Sequence, residues 1–94
     1  MEFLSTNGTR DIVVNTYKIK FHAVCPVNED VIEYFLIIKS AKMIQVEQIK
    51  EFTERLSRGF HESFADMLHG KFGGYQYMTA IHGGVLIETE RGQS

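Results

Sequence analysis

Cys25 and Pro26 stand side by side in FHAVCPVNED, residues 21–30, and each is the sole example of its type in the chain. A cysteine thiol becomes an effective nucleophile when a neighbouring group or dipole lowers its pKa below the unperturbed value of about 8.5. Pro26 withdraws a backbone donor, so a strand arriving from the N-terminal side stops there and leaves the thiol at its end. A free cysteine also serves as a small apolar filler, and the residue alone leaves both readings open.

The adjacent pair His61-Glu62 follows a Gly-Phe step and opens an apolar-periodic segment. At a helix N-terminus an imidazole tends to be neutral and a carboxylate is stabilised. Such a fixed anion suits the amino-amidine edge of a guanine or pterin ring, which presents two parallel N–H donors. The plainer alternative is that Glu62 only complements the helix dipole. Asp30, with Glu29 and Glu33, lies close behind Cys25 and would serve as a proton donor if desolvated, although charged loops are commonly just solvated. His22, His61, His69 and His82 show no compact ligand spacing with each other or with Cys25, so no metal is expected. Gly73-Gly74 and Gly83-Gly84 fall at strand junctions rather than in a phosphate-cradling loop.

These groups need elements to place them. Val13, Tyr17, Ile19, Phe21, Ala23 and Cys25 share one parity, with Lys18 and Lys20 on the other, which predicts a half-buried strand over 12–24. VIEYFLIIK, residues 31–39, predicts a second strand after the Asn28-Glu29-Asp30 turn. Val46, Ile49, Phe52 and Leu56 recur at three- and four-residue steps and predict an amphipathic helix over 46–57. Phe60, Phe64, Met67 and Leu68 predict a second helix that starts after Gly59 and stops at Gly70. YQYMTAIH and VLIETE, joined by Gly83-Gly84, predict a closing hairpin.

The order strand-strand-helix-helix-strand-strand excludes a ferredoxin-like alternation and predicts an α+β domain, an antiparallel four-stranded sheet with two helices on one face. The second face keeps apolar side chains and the sheet has free edges, so assembly of subunits, for instance into a closed ring, is expected.

The 94 residues allow one domain, 1–94, with residues 1–10 and Arg91-Gly92-Gln93-Ser94 expected to be loose. A composition of 44% hydrophobic and 23% charged residues is that of a folded globular protein, and no apolar run is long enough to span a membrane. Ten Lys plus Arg against twelve Asp plus Glu disfavour tight nucleic-acid binding. The single cysteine allows no internal disulfide, and the first residues lack the pattern of a signal peptide, so a cytoplasmic location is expected.

Together these pieces resemble the tunnelling-fold (T-fold) superfamily, and within it the 7-cyano-7-deazaguanine reductase family with its reductase-lacking relatives, the archaeosine-forming amidinotransferases. FHAVCPV is similar to the family's strand ending in Cys-Pro, FHES to its His-Glu start of the second helix, and TAIHGGVLIET to its final hairpin. The resemblance spans roughly residues 17–91 and implies one T-fold unit of an oligomeric barrel. It implies that Cys25 adds to the nitrile of 7-cyano-7-deazaguanine as a covalent thioimide, and that His61 and Glu62 hold the ring. The family's aspartate, seven residues after the cysteine, is Ile32 here, and Asp30 takes its catalytic place if the loop is two residues shorter.

VEQIKEFTERL keeps Glu47, counted with the binding residues, and little else of the stretch with which the reductases grip NADPH. No cofactor is therefore expected, and SRGFHES resembles the amidinotransferases more closely. Their substrate is a 7-deazaguanine carried in transfer RNA, for which an oligomer would gather Lys18, Lys20 and Lys39. Two other classes remain: a non-catalytic T-fold oligomer that binds a purine, a pterin or a protein partner, and a T-fold enzyme of pterin chemistry.

Overall fold

The structure is a computed structural model and describes residues 14–92. Six elements follow one another: β1 (Asn15–Val24), β2 (Val31–Ser40), α1 (Val46–Arg55), α2 (His61–Phe72), β3 (Tyr75–His82) and β4 (Val85–Arg91). The strands form one antiparallel sheet in the order β1-β2-β3-β4, with Phe21 opposite Tyr34, Tyr34 opposite Ala80 and Ala80 opposite Ile87. The expected α+β architecture is present. Residues 12 and 13, predicted to begin the first strand, lie outside the described residues.

Period-two alternation decides which face meets the helices. Phe21 and Ala23 of β1, Ile32, Tyr34, Leu36 and Ile38 of β2, and Met78 and Ala80 of β3 are buried against Ile49 of α1, Leu56 just beyond it, and Phe64, Ala65 and Leu68 of α2. Phe21 stacks on Tyr34 with centroids 5.0 Å apart, and Phe64 meets both rings edge-on, at 6.1 and 5.4 Å. That aromatic cluster holds the first turn of α2 against β1 and β2. On the opposite face Phe35, Ile81 and Leu86 are exposed, as the sequence pattern requires.

The helices differ from expectation at their ends. α1 stops at Arg55, and Leu56 turns inward with its N–H donating to the Thr53 carbonyl at 3.1 Å. α2 passes through Gly70, which faces open space, and stops at Gly73, whose φ of 65° most side chains avoid. The extra turn places Phe72 against Phe52, 5.6 Å between centroids. Phe60 and Met67, expected on the apolar face, are exposed because the inward stripe is Phe64, Ala65 and Leu68, while Phe60 is extended ahead of the helix. Buried Gln76 then ties β3 to the end of α2, its Nε2 donating to the carbonyls of Leu68 and Gly73 at 3.1 and 2.9 Å. Arg91, expected in a loose tail, is the last residue of β4 and is held by two carboxylates of α2.

Candidate functional site

The end of β1 is tied to the link between the helices. The Val24 N–H donates to the Ser57 carbonyl at 2.9 Å, and the Gly59 N–H donates to the Val24 carbonyl at 3.1 Å. Two residues beyond Gly59 the chain enters α2 at His61, so Cys25 and His61 are both carried away from one short backbone pairing. Gly59 is needed for this approach, since a Cβ there would lie 2.7 Å from Cε1 of Phe64.

Cys25 is buried at 4% exposure, and its backbone closes the following turn. Its N–H donates to the Asp30 carbonyl and its carbonyl accepts from the Glu29 N–H, each at 2.8 Å. The Asp30 N–H donates to Oδ1 of Asn28 at 3.1 Å, so Asp30 contributes to the turn through its backbone while its side chain faces solvent. Glu29 adopts φ 63° and is gripped through both carboxylate oxygens by Arg58, at 2.8 and 2.5 Å. This fork pulls the Glu29 carboxyl below its ordinary range and fastens the cysteine turn to the interhelical link.

His61 lies between β2 and β4. Its ring is 5.5 Å from that of Tyr34, and its Nε2 is 2.8 Å from Oγ1 of Thr89. Its buried Nδ1 has no hydrogen-bond partner among the described residues. Burial lowers the His61 pKa from 6.5; Glu62 opposes that shift, and Arg91 and His82 add to it. The lowered pKa favours the neutral ring, whose Nε2 shares a hydrogen bond with the Thr89 hydroxyl in a direction set by the tautomer. Tyr34 titrates above its ordinary range, first because it is buried and then because Cys25 is nearby.

Glu62 and Asp66, one turn apart on α2, both meet Arg91 of β4, at 2.6 Å from Nη2 and 2.8 Å from Nε respectively. The other side of the Glu62 carboxylate is open, its side chain being 71% exposed.

The segments that carry Cys25 and His61-Glu62 therefore meet where β1 finishes and α2 begins. Ile32, where the resemblance implies an aspartate, is 5% exposed and packs in the core. Glu33 points to the helix-free face, 3.1 Å from His22 and 3.6 Å from Lys20. Glu47 sits in the first turn of α1 and lines a depression of about 570 Å³ with Asn15, Tyr17 and Met43. That is the start of β1, and the ten residues of β1 span about 30 Å. One chain does not bring Glu47 to Cys25 and His61. Among the described residues no three His, Cys, Asp or Glu side chains are placed to hold a metal ion.

Tyr34, Arg58, Thr89 and Arg91 belong to this region and were not singled out from the sequence. The signal for two of them was present: Ile87, Thr89 and Arg91 share the helix-facing parity of β4, where a polar pair calls for partners.

No family model matches the chain, and no curated protein does. Among solved structures the fold is similar to the crystal structure of the archaeosine synthase QueF-Like in the apo form, with a TM-score of 0.66 and 17% sequence identity. The match covers 90% of this chain and 99% of that one. The chain thus shares the fold of that structure.

Proposed function

We propose that this chain is a nitrile-modifying T-fold enzyme of 7-deazaguanine chemistry, closer to an amidinotransferase than to an NADPH-dependent reductase. The observation that carries the reading is the pairing of Val24 with Ser57 and Gly59, which puts the cysteine-bearing strand end beside the helix start that offers a neutral imidazole and an open carboxylate. In this scheme the ring lies with its amino-amidine edge on Glu62 and its other polar atoms toward His61. The sulfur of Cys25 bonds to the nitrile carbon, one π pair of the C≡N bond moves to nitrogen, and nitrogen takes the proton, giving a thioimide. Ammonia then adds to the same carbon and the thiolate leaves, so that an amidine forms. Asp30 is the proton donor if its side chain turns inward when the ring binds. A thiol that must stay reduced suits a reducing cytosol.

The ring is either free or already part of a transfer RNA. Subunits assemble through the free edges of the sheet, and Glu47 joins the site when a second copy brings the start of its α1 to Cys25. A second reading draws on the burial of Cys25 within the core cluster. In that case the chain is a non-catalytic oligomer that binds a purine or pterin through His61 and Glu62.

Intact mass spectrometry after incubation with 7-cyano-7-deazaguanine, beside the Cys25→Ala variant, tests the choice. A mass gain equal to the ligand, present only with the thiol, supports the enzyme. An unmodified protein whose thiol is also inert to a small alkylating reagent moves the assignment to the binder.

A further inference from the structure

The guanidinium of Arg91 is held on three sides. Its Nε donates to Oδ1 of Asp66 at 2.8 Å, its Nη1 to the Glu90 carbonyl at 2.9 Å and its Nη2 to Oε1 of Glu62 at 2.6 Å. Its side chain is 28% exposed, whereas those of Glu62 and Asp66 are 71% and 70% exposed. Two carboxylates four residues apart on a helix repel each other, and left alone they would swing apart into solvent. A guanidinium between them reverses that preference, and because it is planar and anchored at its backbone end it also sets the direction in which Glu62 points.

We propose that Arg91 is the positioning residue of the ring site: it fixes the orientation of the Glu62 carboxylate so that both oxygens can meet two parallel N–H donors. A carboxylate has about four acceptor sites, and Nη2 takes one on Oε1, so enough remain for a bidentate ring edge. Arg91 touches neither the ring nor the reacting nitrile. It sets selectivity for an amino-amidine edge and leaves the bond-forming step to Cys25. This assignment rests on the reading of Glu62 as the ring-holding carboxylate.

The test uses the full chain carrying Cys25→Ala, so that binding is read without adduct formation. Affinity is measured calorimetrically for 7-cyano-7-deazaguanine and for the analogue lacking the 2-amino group, in that parent and with Arg91→Ala or Arg91→Lys added. Expected is a parent that prefers the amino-bearing ring, with the preference reduced about tenfold by Arg91→Ala, or about 1.4 kcal/mol, and to a lesser extent by Arg91→Lys. A parent that discriminates, with variants that are less heat-stable yet discriminate equally, reduces Arg91 to a surface ion pair and overturns the assignment. Tighter binding by Arg91→Ala overturns it also, since the guanidinium would then be a competitor for Glu62. A parent that binds neither ring refutes the functional reading, and this assignment falls with it. Arg91→Lys keeps the charge and serves as the deciding variant should Arg91→Ala fail to fold.

Discussion

Oγ1 of Thr89 lies 2.8 Å from Nε2 of His61, a hydrogen bond across 28 residues that fastens the last strand to the first turn of α2. Two residues further along β4, Arg91 takes hold of Glu62, the next residue of α2. One face of β4 therefore sets the orientation of both members of the His-Glu pair.

Thr89→Val keeps the side-chain volume and removes the partner of Nε2. The half-buried imidazole is then left with neither nitrogen bonded among the described residues, which costs roughly 1 to 3 kcal/mol for an unsatisfied polar group. Denaturant unfolding should show a lower midpoint at unchanged slope, and ring affinity should fall with it. A midpoint equal to wild type would mean that His61 is not held by Thr89.

The titration of His61 makes stability depend on pH in a set direction. Its folded pKa is depressed below 6.5, chiefly by burial, so below 6.5 the unfolded chain takes up a proton that the folded chain resists. The His61 contribution is fully present above pH 6.5 and is lost as the pH falls through the folded pKa. Unfolding free energies of wild type and His61→Gln, compared as the pH is lowered through that window, should converge. Parallel curves would contradict the depressed pKa.

Much of this arrangement was legible because it rests on periodicity. Period two over 12–24 and 31–39, and steps of three and four over 46–57, express burial directly, and they suffice to order the elements and to place Cys25 at a strand end and His61-Glu62 at a helix start. What could not be read depends on the packing of distant segments. Gly70 and Gly73 both look like helix stops, and the choice is made by Phe72, which must reach Phe52. The pairing of Val24 with Ser57 and Gly59 is made by backbone atoms and leaves no mark on residue type. Asp30 looked like a free carboxylate behind the cysteine, yet its ordered contribution to the turn is through its carbonyl, which accepts the Cys25 N–H.

Gly59→Ala probes that pairing. The added Cβ meets Cε1 of Phe64 at 2.7 Å, and Phe64 is fully enclosed, so the link or the ring must move. Overpacking of this kind costs about 1 to 3 kcal/mol. Phe64→Leu combined with Gly59→Ala should recover part of that loss by making room, although alone it removes core contacts. Strictly additive losses in the double variant, read from thermal unfolding, would count against a direct contact between the two positions.

Glu62→Gln and Cys25→Ala should separate binding from bond formation. Glu62→Gln removes the charge that pairs with two N–H donors while keeping the shape, and ring affinity should drop by roughly 1 to 3 kcal/mol. The thiol is untouched, so an adduct should still form once the ligand is raised enough to fill the site. Cys25→Ala should do the reverse: the fold and the affinity stay, because a small buried side chain is exchanged for one slightly smaller, and the covalent product disappears. Measured together by calorimetry and intact mass, the two variants assign the roles independently. Adduct formation that survives Cys25→Ala would place the nucleophile elsewhere, and an affinity indifferent to Glu62→Gln would remove that carboxylate from the site.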